Sequence, residues 1–223
     1  MLMERLQSLA DPIKAAGKQK FGIKGELLGI SMPSLRVMAK ELGKGHSLAW
    51  QLWDRGINEA KILATLIYPK EDLTLEEMEA MALGFDSWDV VDQAAQLFAQ
   101  RPELALVKIK EWRGHSEQYI KRASFSLMAV MAVHAKNLPD EKFEEFFPWI
   151  LEAATDQRNF VKKAVNWALR QIGKRSLQLH PKALDLAQQL AQSQDKTAKW
   201  IGKNAVKELS DPAQIQRLEK KKK

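Results

Sequence analysis

Three stretches of this chain are variations on one another. "YIKRASFSLMAV", "FVKKAVNWALRQ" and "WIGKNAVKEL" align so that Ile120, Val161 and Ile201 share one position, at spacings of 41 and then 40 residues. A repeat of that length with helical periodicity narrows the possible folds more than any other feature. Each unit is too small to bury its apolar face alone and must stack on its neighbours. The same register puts Arg122, Lys163 and Lys203 at equivalent points, so a row of cations is expected along one inner face.

The remainder of the chain agrees with a stack of helices. No segment alternates apolar and polar residues over strand length, and helical stretches sit between glycine and proline punctuation with short connections. Helices are expected from "GISMPSLRVMAKELGKG" with Pro33 in a first turn, "SLAWQLWDRG", "NEAKILATLIYPK", "TLEEMEAMALG", "DSWDVVDQAAQLFAQ" and "RPELALVKIKEWRG". The three repeat segments, "PDEKFEEFFPWILEAA" and "HPKALDLAQQLAQ" complete the set, and "FEEFFPW" reads as an amphipathic helix broken by Pro148. The expected fold is all-α: a HEAT-like or armadillo-type α-solenoid of stacked antiparallel helix pairs with a concave basic face. One domain over 1–219 and a basic disordered tail at 220–223 fit the length of 223 residues.

Without cysteine, disulfides, thiolate metal sites and cysteine nucleophiles are excluded. His46, His115, His134 and His180 show no metal-ligand spacing, so no metal is expected. No apolar run is long enough for a bilayer, and the N-terminus lacks a signal-like apolar core, which points to a cytoplasmic protein. The charge of +7 favours an anionic partner. Removing the last four lysines leaves 31 cations against 28 anions, so the position of the charges matters more than their sum.

Turning each residue by about 100° around a helix axis separates "NFVKKAVNWALRQIGK" into two stripes. Val161, Ala164, Val165, Ala168, Leu169 and Ile172 form the core stripe; Phe160, Lys163, Trp167, Arg170 and Lys174 lie roughly opposite. An indole among three cations suits nucleic acid, with cations for phosphates and an aromatic face for sugar or base. It also suits a helix that packs Trp167 on a neighbour and leaves the cations as a solvated rim. In "WDVVDQAAQLFA" the stripe Val90, Val91, Ala94, Leu97 and Phe98 excludes Trp88, Asp92 and Ala99. Asp86 or Ser87 can cap this helix and Asp89 suits its first turn, but Asp92 lies beyond that turn. Arg122 leaves its own core stripe, with Tyr119 and Ser126 beside it; it suits a phosphate, or an ion pair with Asp89 or Asp92. Trp50, Trp53, Trp112, Trp149 and Trp200 read as packing between helices.

"LLGISMPSLR", "FDSWDVVDQ", "YIKRASF" and above all "QRNFVKKAVNWALRQIGKR", in this order, resemble the AlkD-type DNA alkylation repair glycosylases, an all-helical HEAT-like family. The resemblance implies excision of cationic alkylpurines, N3-alkyladenine and N7-alkylguanine, from duplex DNA by N-glycosidic hydrolysis without lyase activity or a cofactor. It implies a catalytic carboxylate at Asp92, an aromatic pair at Trp88 and Trp167 flanking the deoxyribose, a phosphate contact at Arg122 and a DNA-facing aromatic at Phe160. Lys163, Arg170, Lys174 and Lys203 are the further DNA-binding candidates from the face and register analysis. "KQKFGIKGELLGI" departs from the family pattern, with Lys20 or Phe21 near the position of a DNA-contacting tyrosine. The implied protein is a monomer on alkylated double-stranded DNA, associated with the nucleoid when bound. Two other readings stand beside it: a noncatalytic HEAT-like module for damaged or branched DNA, and a scaffold for an acidic protein partner.

Overall fold

The computed structural model describes residues 2–23 and 25–220, and every regular element among them is helical. In chain order these are α1 (Leu2–Ser8), α2 (Pro12–Lys20), α3 (Met32–Leu42), α4 (His46–Trp53), α5 (Asn58–Ile67), α6 (Leu75–Leu83), α7 (Trp88–Phe98), α8 (Pro102–Trp112), α9 (Gln118–His134), α10 (Asp140–Glu144), α11 (Phe146–Ala153), α12 (Asn159–Gly173), α13 (Leu179–Ala191), α14 (Lys196–Leu209) and α15 (Pro212–Lys220). A 3₁₀ turn covers Lys70–Asp72. The expected basic tail lies outside the described residues from 221 onward, and Lys220 closes α15. Two compact units divide the chain between Leu104 and Ala105.

In the first unit α5 packs on α3, α4 and α7. Nine of its ten residues are buried, among them Asn58, Glu59, Lys61 and Thr65. A buried charge is tolerable only when paired and hydrogen-bonded. Glu59 meets both conditions: its carboxylate accepts from Leu28 N at 2.8 Å, Gly29 N at 2.9 Å and Lys18 Nζ at 2.7 Å. That grip explains "LLGI". Gly29 turns through φ +76°, and a Cβ there would sit 2.1 Å from the Asp11 carbonyl oxygen, so no other residue fits. Elsewhere in this unit Glu77 accepts from Trp50 Nε1 at 2.7 Å and Tyr68 Oη at 2.8 Å. Burial, and then the adjacent Glu77 carboxylate, push the Tyr68 hydroxyl well above its usual range and keep it a donor.

The repeat is visible within the second unit. α9, α12 and α14, the helices of the three related segments, pack in succession, α9 on α12 and α12 on α14. A second row backs them, with α11 against α12 and α13, and α13 against α14. The register residues Ile120, Val161 and Ile201 are all buried. Helices this close need small residues at the crossing. A Cβ on Gly202 would meet Ala191 N at 2.1 Å and Ala187 O at 2.6 Å. Arg175 closes the end of α9 by donating to the carbonyls of Ala132, Ala135 and Leu138, while its Nε reaches Asp140 at 2.9 Å. Its guanidinium also lies 4.1 Å from the Phe143 ring centroid.

Three details differ from the sequence reading. The break in "FEEFFPW" falls at Glu145, ahead of Pro148, because a proline ring clashes with the carbonyl four residues before it; α10 therefore ends at Glu144 and Pro148 sits in the first turn of α11. The helices α1, α2 and α15, of seven to nine residues each, were not among those expected. Trp53 and Trp112 are buried and Trp50 and Trp149 half-buried, as packing requires, but Trp200 is 37% exposed.

Gly202→Ala tests the α13–α14 crossing. The obstructing atoms are backbone, so the substitution is expected to cost about 1–3 kcal/mol, read as a lower urea midpoint.

Candidate nucleic-acid interface

Trp88 opens α7 and Asp92 follows one turn later, both half-buried, while Val90, Val91, Ala94, Leu97 and Phe98 are buried on the other side. An amphipathic helix with a strong apolar stripe thus leaves an indole and a carboxylate together at its margin. The start of this helix is held from α5. Asn58 Nδ2 donates to Ser87 Oγ at 3.1 Å and to Asp89 Oδ1 at 2.9 Å. Lys61 Nζ reaches the Gly84 carbonyl at 2.8 Å and Asp86 Oδ2 at 2.6 Å.

This corrects the capping expectation. Ser87 is the N-cap by backbone geometry, yet its side chain makes no cap hydrogen bond and is wholly buried against Asn58. Asp86 is taken by Lys61. Asp89 accepts from Val90 N at 3.0 Å as well as from Asn58. Asn58 and Lys61 were not singled out from the sequence; polar residues inside an otherwise apolar helix segment, "NEAKILATLI", were the available signal.

The other candidates lie in the second unit. Phe160, in the first turn of α12, stacks on Tyr119 of α9 with centroids 5.7 Å apart and planes at 29°. Trp167, two turns further along, is half-buried, so it is neither packed away nor fully displayed. Arg122 differs most from expectation. It is 5% exposed, and its guanidinium NH1 donates to the Phe160 carbonyl at 2.6 Å. The register implied a row of cations along one inner face; Lys163 and Lys203 are exposed, and Arg122 is buried because α9 is covered on more than one side, with 12 of its 17 residues buried.

Arg170 and Lys174 are held by a neighbouring helix. Both pair with the Glu208 carboxylate of α14, so they tie α12 to α14 instead of forming an open cationic stripe. Burial pushes the Glu208 carboxyl up, but the bonds from Lys174 and Arg170 outweigh it and hold it below its usual range. A cavity of about 570 Å³ near the C-terminal ends of α9 and α12 is lined by Lys136, Asp140, Lys174, Arg175 and Arg217 among others. Two of its cations are committed to structure, Lys174 to Glu208 and Arg175 to Asp140 and helix carbonyls. Near the N-terminus Phe21 ends α2 and is 73% exposed, and Lys20 is exposed beside it; Lys24 of the same segment lies outside the described residues.

The N-terminus of α12 is fixed by Asp156, which pairs with Lys121 of α9 at 3.0 Å and Arg158 at 2.6 Å. Burial pushes this carboxyl up, but the bonds from Arg158 and Lys121 prevail and bring it from 3.8 down to about 2. Among the described residues no three His, Asp or Glu side chains gather as a metal site requires, and no helix is long and apolar enough to cross a membrane.

Residues 2–209 match the family described as DNA alkylation repair enzyme. The chain belongs to that family. A solved structure shares the fold of this DNA alkylation repair family member with a TM-score of 0.76 at 16% identity, covering 91% of each chain. That protein is described as one of "a new family of proteins related to the HEAT-like repeat DNA glycosylases with affinity for branched DNA structures". The likeness shows the fold, all-helical and HEAT-like. Among curated proteins none matches in sequence.

Two variants test these anchors. Asn58→Ala removes a buried donor shared by Ser87 and Asp89 and is expected to cost about 1–3 kcal/mol in chemical denaturation. The depressed Asp156 carboxyl stabilises the fold above its unfolded value near 3.8, and that contribution, about 2 kcal/mol, is lost as pH falls toward 2. Wild type should therefore lose stability over this window more steeply than Asp156→Asn, measured as urea midpoints between pH 5 and pH 2.

Proposed function

We propose that this DNA alkylation repair family member is a monofunctional DNA glycosylase that releases cationic alkylpurines from duplex DNA. The observation that carries the reading is the pairing of Trp88 and Asp92, one turn apart at the margin of α7 with their helix end anchored from α5. Binding DNA needs cations; it does not need a carboxylate beside an indole.

The chemistry follows from the substrate. A purine alkylated at N3 or N7 carries positive charge and leaves as a neutral base once the glycosidic bond breaks, so no general acid is needed. The barrier lies in positive charge developing at the sugar C1′. Asp92 stabilises that charge and orients the water that adds to C1′, as a carboxylate does in glycoside hydrolysis. The Trp88 and Trp167 indole faces contribute cation–π attraction of about 0.5–2 kcal/mol where water is excluded. Phe160 and the exposed Lys163 and Lys203 serve DNA binding. Arg122 acts through its bond to the Phe160 carbonyl as well as through its charge. In this reading the chain works as a monomer on alkylated duplex DNA, nucleoid-associated when bound.

A second reading draws on the protein of like fold whose group is described as having affinity for branched DNA: a noncatalytic module that binds distorted DNA. One experiment separates them. N7-methylguanine and N3-methyladenine release from alkylated duplex is measured for wild type and Asp92→Asn, with folding checked by circular dichroism. Release by wild type and a drop of at least about 100-fold in the variant is the expected result. Full release by Asp92→Asn removes the mechanism. Salt-dependent DNA binding without release by either protein selects the noncatalytic module.

A further inference from the structure

The register that aligns Ile120, Val161 and Ile201 also aligns the residue before each: Tyr119, Phe160 and Trp200. Every related repeat thus begins its helix face with an aromatic ring. Tyr119 and Phe160 are half-buried and stacked on each other. Trp200, the third in the series, is exposed, and the Lys162 ammonium lies 4.8 Å from its ring centroid. At 37% exposure Trp200 keeps part of its ring open to solvent, and an aromatic face left open among cations is what a stacking surface for nucleic acid requires.

The surroundings indicate the chemistry of that partner. On α14, steps of about 100° per residue bring Lys196, Trp200, Lys203 and Lys207 onto one narrow stripe. All four are exposed. Lys203 and Lys207 are one turn apart, about 6 Å along the axis. Of the two acids adjacent to these lysines in sequence, Glu208 is occupied by Arg170 and Lys174, and Asp195 caps α14 by accepting from Thr197 N and Ala198 N. The stripe therefore presents three ammonium groups and an indole braced by a fourth.

We infer that Trp200, with Lys162, Lys196, Lys203 and Lys207, is a stacking platform for an unpaired base of single-stranded or branched DNA, the lysines holding the adjacent phosphates. A duplex exposes no base faces along its length, whereas an unpaired strand offers one at every nucleotide, and stacking on an aromatic ring is indifferent to sequence. Lys162 would hold the ring from one side while the base approaches its open part. The inference rests on the assignment of this family member to DNA, but not on base release.

The test uses the full chain and three fluorescent probes under one buffer: a fork with unpaired arms, a duplex of matching sequence, and an oligoglutamate peptide. Wild type is expected to prefer the fork. Trp200→Ala should weaken fork binding about ten-fold and duplex binding far less, while Trp200→Phe keeps most of the preference. Lys203→Gln/Lys207→Gln should reduce the salt slope of fork binding by about 0.7 for each phosphate that is no longer neutralised. Equal loss on fork and duplex, or no loss on either, overturns the stacking role, and binding of oligoglutamate as tight as the fork assigns the stripe to acidic proteins. Release of N7-methylguanine, followed on the same preparations, keeps the two ideas apart: a fork preference dependent on Trp200 without any release would sink the glycosylase reading alone, and release without that preference would sink the platform alone.

Discussion

In stacked pairs a helix is covered on more than one side, and this governs both the stability of the chain and the surface it leaves open. α5 buries nine of its ten residues and α9 twelve of seventeen. A helix so enclosed cannot send all its polar groups to water. Those that remain inside must be met by donors and acceptors at good geometry, because an unmet buried charge costs several kcal/mol. Glu59, gripped by two backbone amides and Lys18, and Arg175, spread over three carbonyls and Asp140, both meet that requirement. Each also fixes the path of chain that has no helix of its own: the segment before α3 in the first case, and the link from α9 to α10 in the second.

The same enclosure decides how much surface is left for chemistry. A helix flanked on both sides keeps a narrow margin, and the candidate residues occupy such margins. Trp88 and Asp92 stand at the edge of α7, whose start is held by Asn58 and Lys61. This is a direct route from a buried polar helix to the placement of a carboxylate. In the second unit the margin of α12 carries Phe160, Lys163 and Trp167, while Arg170 and Lys174 further along are drawn into the contact with Glu208. A cation of the sequence stripe stays exposed or becomes a helix tie according to whether an acid from the neighbouring helix stands opposite.

Much of the fold was legible in the chain. Helix-period apolar stripes on α7, α9 and α12 were buried as read, and Ile120, Val161 and Ile201 proved equivalent because a repeat fixes which side of each helix meets the next. Proline and glycine marked most boundaries. The break in "FEEFFPW" was assigned to Pro148 itself, although the ring acts on the carbonyl four residues earlier. Of the candidate site, the residue types and their shared faces were legible, since i, i+4 neighbours on a helix need no tertiary information. The support behind them was not: Ser87 looked like a cap, and Asn58 belonged to another helix about thirty residues away in sequence.

The sequence by itself determined the class of fold, the period of the repeat and the sets of side chains that share a helix margin, because these follow from local geometry at 3.6 residues per turn. Only the tertiary structure decided which margins stay open. Arg122 and Trp200 show the difference. A helical wheel placed Arg122 away from its core and the habit of large aromatics to fill helix interfaces placed Trp200 between helices, yet Arg122 is enclosed and Trp200 is exposed. Periodicity reports the angle at which a side chain leaves its own helix; whether a second helix stands at that angle depends on residues about forty positions distant.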